Sequence, residues 1–142
     1  METPVSSPPL ADRAHVLVVD DEPHVGRIIQ MKLEQGGFRV TLAYDGIEAL
    51  EALDRESDVR VVWLDLMMPH VSGLEVLARM RANDRTKQLP CVILTAAGND
   101  TQRERAMTLG ATDFMTKPFS PKRLLYRTAE LAGVSFGPDA RD

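Results

Sequence analysis

The chain has 142 residues, a mass of 15.7 kDa and a formal charge of −4, from 17 basic and 21 acidic side chains. That length describes one domain, large enough to bury a core without disulfides or a structural metal. Hydrophobic residues at 44% and charged residues at 27% exclude a globally disordered chain, and the mild acidity argues against nucleic-acid binding by this domain itself.

Cys91 is the single cysteine. It rules out an internal disulfide and a cysteine-based zinc site, and it fits a reducing, cytoplasmic setting. Residues 1–13 (METPVSSPPLADR) contain an early acid and no apolar h-region, so they do not read as a signal peptide. No apolar run reaches the length of a membrane span.

In chain order, residues 1–13 read as a flexible, Pro- and Ser-rich lead-in. His15–Asp20 (HVLVVD) is the first predicted strand. A helix follows, with Pro23 in its first turn, Val25, Ile28, Ile29 and Leu33 on one face, and Gly36-Gly37 as its stop. Phe38–Ala43 is the second strand, and Ile47, Leu50 and Leu53 mark the second helix. Val59–Asp65 (VRVVWLD) is the third strand, followed by a helix carrying Leu74, Leu77 and Met80. Pro90–Thr95 is the fourth strand, and Asp100–Leu109 is a polar, weakly amphipathic helix. Thr112–Thr116 is the last strand. Ser120-Pro121 supplies an N-cap and first helical residue for a helix with Leu124, Leu125, Thr128 and Leu131 on its stripe. Residues 133–142 (GVSFGPDARD) read as a tail or linker stub, which leaves 14–132 as the folded unit.

The strands are β-branched-rich and apolar without alternation, as expected for a parallel sheet buried on both faces. Five strands alternating with five helices predict an α/β fold: a doubly wound five-stranded parallel sheet with helices on both sides. Ligands of such sheets bind at the carboxyl ends of the strands. There the sequence places Asp20, Asp21 and Glu22 after strand one, Asp65 at the end of strand three, Thr95 at the end of strand four and Lys117 after strand five. Clustered carboxylates repel each other, and a hard divalent cation such as Mg²⁺ relieves that repulsion. The constellation suits a carboxylate nucleophile that accepts a phosphoryl group, with a lysine and a hydroxyl for the remaining oxygens.

Five segments carry a resemblance: VLVVDDEPHV (16–25), GFRVTLAYDGIEAL (37–50), VVWLDLMMPHVSGLEVL (61–77), LPCVILTAAG (89–98) and GATDFMTKPFSPKRLL (110–125). The paired acids, D-x-x-M-P-x-x-x-G, the strand-ending Thr and K-P-F, in that order, resemble the receiver domain of a two-component response regulator, with its flavodoxin-like fold. The resemblance implies that Asp65 is the phosphoacceptor. It implies that Asp20 and Asp21, with Asp65 and the backbone carbonyl of Met67, hold Mg²⁺. Thr95 and Lys117 then contact the phosphoryl group, and Phe114 is the aromatic switch residue, with small Ala96 leaving room for its ring. The implied partner is a histidine kinase or histidine phosphotransfer protein, and the readout lies on the face of helix four, strand five and helix five. A phosphorylation-dependent homodimer and a changed monomer surface both remain open. In the family the chain resembles, the peptide bond corresponding to Lys117–Pro118 is often cis, which would aim the lysine inward.

Each residue also has an ordinary reading. Asp20 and Asp21 cap helices well, Lys117 suits an exposed loop, Thr95 suits any strand, and Phe114 suits a core. Their combination outweighs these. Trp63 reads as core of the central strand and Cys91 as a small buried hydrophobe. His15, His24 and His70 lack metal-site spacing and read as surface or packing residues. In the family the chain resembles, the positions two residues after the acceptor and the threonine tune acyl-phosphate hydrolysis. Here they are Met67 and Ala97, which offer no useful side-chain hydrogen bond, so the resemblance implies slower loss of the phosphoryl group than in relatives with polar residues there. Three alternatives differ in class: a receiver cut from a longer regulator, a Mg²⁺-dependent aspartyl-phosphate phosphatase, and a receiver-like domain that binds partners without phosphorylation. The phosphatase needs a second acid where Met67 stands, and all five acceptor-site residues are present.

Overall fold

A computed structural model describes residues 14–134; the expected lead-in (1–13) and most of the expected tail (135–142) lie outside them. The elements alternate as β1 (His15–Val19), α1 (Pro23–Gln35), β2 (Arg39–Ala43), α2 (Gly46–Arg55), β3 (Val59–Asp65), α3 (Gly73–Ala82), β4 (Cys91–Ala96), α4 (Asp100–Leu109), β5 (Asp113–Lys117) and α5 (Pro121–Ala132). All neighbouring strands pair parallel, in the order β2-β1-β3-β4-β5. The five expected strands and five expected helices are all present. Strand ends differ by about one residue: Asp20 and Phe38 lie just outside β1 and β2, while β4 and β5 run on through Ala96 and Lys117.

Alternate residues of the central strands feed two cores. Leu17, Val19, Val62, Leu64 and Ile93 pack under α2 and α3 with Leu53, Leu77 and Met80. Val16, Val18, Trp63, Val92 and Leu94 pack under α1 and α5 with Ile29, Leu33 and Leu124. This double burial explains the unbroken apolar runs.

Two assignments from the periodicity are corrected. Ile28 and Ile47 were expected on core faces, but they are 48% and 49% exposed. Small Gly26 and Ala49 occupy the buried positions beside them, so each helix lies close to the sheet and leaves its flanking isoleucine outside. The polar reading of α4 holds, since only Ala106 of that helix is buried.

Capping follows the sequence. Asp45 accepts from Glu48 N–H at 2.8 Å, and Ser72 and Ser120 accept from Glu75 and Arg123 N–H, each at 3.2 Å. Pro121 opens α5. Gly73 starts α3 pressed against the backbone of Asp65 and Leu66, and Gly46 starts α2 pressed against Val71. A Cβ at Gly73 would collide with the Asp65 carbonyl oxygen, and one at Gly46 with the Val71 carbonyl oxygen.

Candidate functional site: an acidic rim at the carboxyl ends of the strands

Strand register assembles the site. Val19 pairs with Leu64, so the next residues along, Asp20 and Asp65, meet side by side. Asp65 pairs with Leu94, so Thr95 follows one step beyond, and Ala96 pairs with Lys117. Strand order reverses between β1 and β3, where a doubly wound sheet opens its binding crevice.

Asp20 and Asp65 are buried, at 1% and 5% exposure. Asp20 Oδ1 accepts the Glu22 N–H at 2.9 Å, and Asp65 Oδ1 accepts the Met67 N–H at 3.2 Å. The Lys117 ammonium lies 2.9 Å from Asp20 Oδ2, 3.4 Å from Glu22 Oε1 and 3.5 Å from Asp65 Oδ2. The peptide bond after Lys117 is cis, as expected. Burial, and then the Asp20 charge, push the Asp65 carboxyl up to about 7, against the opposing pull of Lys117. Burial works against the Lys117 ammonium, but the carboxylates of Asp20, Asp65 and Glu22 around it outweigh it, and its pKa is raised.

Oxygens of Asp20, Asp21 and Asp65 lie within 4.8 Å of one another. Asp20 Oδ2 is fully buried and receives no directed hydrogen bond, even with Lys117 beside it. A buried carboxylate oxygen with an ion pair but no directed hydrogen bond, among other hard oxygen donors, fits Mg²⁺, which prefers few carboxylates and keeps waters.

Thr95 is buried, and its hydroxyl makes only a long contact, 3.4 Å, to the Ala96 carbonyl. Phe114 is 37% exposed, not core, with the Arg103 guanidinium 4.7 Å from its ring centroid. The Met67 side chain points out at 56% exposure, while Met68 is buried. A groove of about 1160 Å³ between β5 and α5, lined by Phe114, Phe119, Arg123 and Tyr126, includes none of the rim carboxylates and not Lys117.

A family comparison decides the class. The model of the response regulator receiver domain matches residues 16–129. The chain belongs to the response regulator receiver domains. Such receivers are signalling domains that histidine kinases phosphorylate. This receiver is 40% identical over 116 residues to an uncharacterized transcriptional regulatory protein, YkoG, of Bacillus subtilis, covering 82% of this chain and 50% of that one. It is 38% identical over 134 residues to the transcriptional regulatory protein SrrA of Staphylococcus aureus, covering 89% and 54%. The chain therefore spans about half the length of these curated relatives. Among solved structures, the receiver domain of the Francisella response regulator 1452 superposes with a TM-score of 0.77 at 32% identity, over 84% of this chain and 97% of that one. The chemotaxis response regulator CheY4 of Vibrio cholerae gives 0.77 at 30% identity, over 83% and 98%.

Two features of the receiver escape sequence reasoning. Glu22 reaches Lys117, although nothing beyond its place in the run D-D-E signals a role. His15 is not a lone packing residue: its Nδ1 lies 2.8 Å from Asp58 and 3.8 Å from Glu56, and its Nε2 lies 2.7 Å from Thr41. Tertiary folding gathers this trio, which no local spacing foretells. Arg39 holds the other Asp58 oxygen and Arg55 the other Glu56 oxygen, so the carboxylates are already neutralised. The cluster ties β1, β2 and the start of β3 together at the end opposite the acidic rim. Among the described residues no helix is long and apolar enough to cross a membrane.

Proposed function

We propose that this receiver is a phosphoacceptor switch in which Asp65 takes a phosphoryl group from a phospho-histidine of a sensor kinase or phosphotransfer protein. The observation that carries this reading is the buried Asp65 carboxylate, set between the carboxylate of Asp20 and the ammonium of Lys117. One Asp65 oxygen attacks phosphorus in line. The phosphorus–nitrogen bond breaks, and the imidazole leaves with the electron pair.

Asp20, Asp21 and Asp65 would hold Mg²⁺, with the Met67 carbonyl as a further donor. The ion would supply positive charge that offsets the negative charge gathered at the acceptor and the phosphoryl group. Lys117 pairs with one phosphoryl oxygen and the Thr95 hydroxyl with another. The Thr95 hydroxyl has only its 3.4 Å contact to give up, so turning inward costs it little. Phe114 then rotates into the space that Thr95 vacates, beside small Ala96. The α4–β5–α5 face changes as a result, and partners read that face in a cytoplasmic setting.

The test is Mg²⁺ with acetyl phosphate, beside Asp65→Asn, followed by intact mass. One added phosphoryl group that requires both Mg²⁺ and Asp65 is expected. An adduct that persists in Asp65→Asn would assign the acceptor elsewhere.

A further inference from the structure

Lys117 and a divalent cation compete for the same atom. The ammonium sits 2.9 Å from Asp20 Oδ2, the buried oxygen that otherwise lacks a directed hydrogen bond and that suits a metal. Two cations cannot share that oxygen at contact distance without strong repulsion. Asp20 cannot yield, since its side chain has no exposed surface and its other oxygen is held by the Glu22 N–H. Lys117 has to yield, yet its side chain is only 19% exposed, and its other buried neighbour, Asp65 Oδ2 at 3.5 Å, belongs to the same metal site, so an ammonium withdrawn from Asp20 there would be poorly compensated.

Glu22 offers the way out. Its Oε1 already lies 3.4 Å from the same ammonium, on a side chain that is half-exposed and free to adjust. Its backbone is tied to Asp20, so its carboxylate stays beside the rim. We propose that Glu22 is a positioning residue that receives the Lys117 ammonium when a divalent cation takes Asp20, so that metal binding does not strand the lysine. Glu22 acts through Lys117 and does not ligate the ion. The proposal rests on the reading of Asp20, Asp21 and Asp65 as a Mg²⁺ site.

The test is a double-mutant cycle on the full chain. Mg²⁺ is titrated by calorimetry at constant ionic strength, with Trp63 emission as a second signal, into wild type, Glu22→Gln, Lys117→Met and the double variant. Lys117→Gln serves as a second neutral background should the methionine variant fold poorly. With Lys117 present, Glu22→Gln is expected to weaken Mg²⁺ binding about fivefold, an ordinary coupling between touching side chains. With Lys117 neutralised, the loss should shrink to roughly twofold or less, the residue of a general charge effect. An equal loss in both backgrounds would overturn the proposal, because Glu22 would then act on the ion directly or as bulk charge. Absence of saturable Mg²⁺ binding to wild type would instead remove the metal site itself, and this proposal with it.

Discussion

The indole Nε1–H of Trp63, in the middle of β3, donates to the hydroxyl of Thr128 on α5 at 2.9 Å, and that hydroxyl in turn donates its O–H to the Leu124 carbonyl at 2.8 Å. Both side chains are fully buried. The pair satisfies the one polar group of the largest core residue and locks α5 against the sheet. Thr128→Val keeps the shape and leaves the indole N–H without a partner. It should cost about 1–3 kcal/mol and lower Tm by about 4 °C per kcal/mol, with Thr128→Ser losing much less. Thermal unfolding of the three proteins checks this, and equal Tm values would show the bond to be energetically idle.

Asp65 should make the metal-free protein less stable than it need be. Its carboxyl is raised to about 7 in the fold, first by burial and then by Asp20. In the unfolded chain it titrates near 4. Between these values the folded state holds a proton that the unfolded state has released, so this group's contribution falls as pH rises from about 4 to about 7. Above 7 the full penalty applies. Asp65→Asn should therefore gain stability over wild type progressively across that window and hold the gain at pH 8. Denaturant melts in chelator at pH 4, 6 and 8 check it; a gain independent of pH would contradict the titration.

Phe114 is held outward by charge. The Arg103 guanidinium lies over its ring and is itself paired with Asp100 at 3.2 Å. An exposed contact of this kind is worth about 0.5–1 kcal/mol. Arg103→Met removes the charge and keeps the reach. If the inward ring belongs to the phosphorylated form, that variant should react with acetyl phosphate roughly two- to fivefold faster, the population shift that this energy allows. An unchanged rate would mean that Arg103 does not restrain the ring.

Met67 and Ala97 are both exposed at the mouth of the acidic rim. Neither can orient a water by hydrogen bonding. Met67→Asn with Ala97→Glu should shorten the lifetime of phospho-Asp65 by about 10-fold or more, within the range of positioned general catalysis. Decay of the phosphorylated intact mass after donor removal measures it, and no acceleration would count against the role of these positions.

The rim was legible because its residues are chemically out of place at strand ends: an aspartate after VVWL and a lysine before Pro-Phe have no structural duty that other residues would not do as well. The fold was legible because parallel strands buried on both faces leave unbroken apolar runs. The misreadings share a cause. Ile28 and Ile47 satisfy helical periodicity, but which stripe faces the sheet depends on how close Gly26 and Ala49 let the helix come, and that is a property of the packed pair. His15 meets Asp58 across 43 residues and Thr41 across 26, so the fold alone supplies its partners. Glu22 looked like the tail of an acidic run until Lys117, 95 residues away, came within reach.

The glycines at the starts of α2 and α3 give the rim an uneven mechanics. Gly73 leaves no clearance between α3 and the backbone of Asp65, its N–H bonds the Leu66 carbonyl at 3.1 Å, and Gly46 braces α2 against Val71 in the same loop. On that flank the backbone of Asp65 is clamped. On the other flank α4 sinks a single alanine into the core. A load applied at Asp65 meets a stiff wall on one side and a compliant one on the other, and displacement follows the path of least stiffness. Two missing side chains thus make one side of the rim the stiffer.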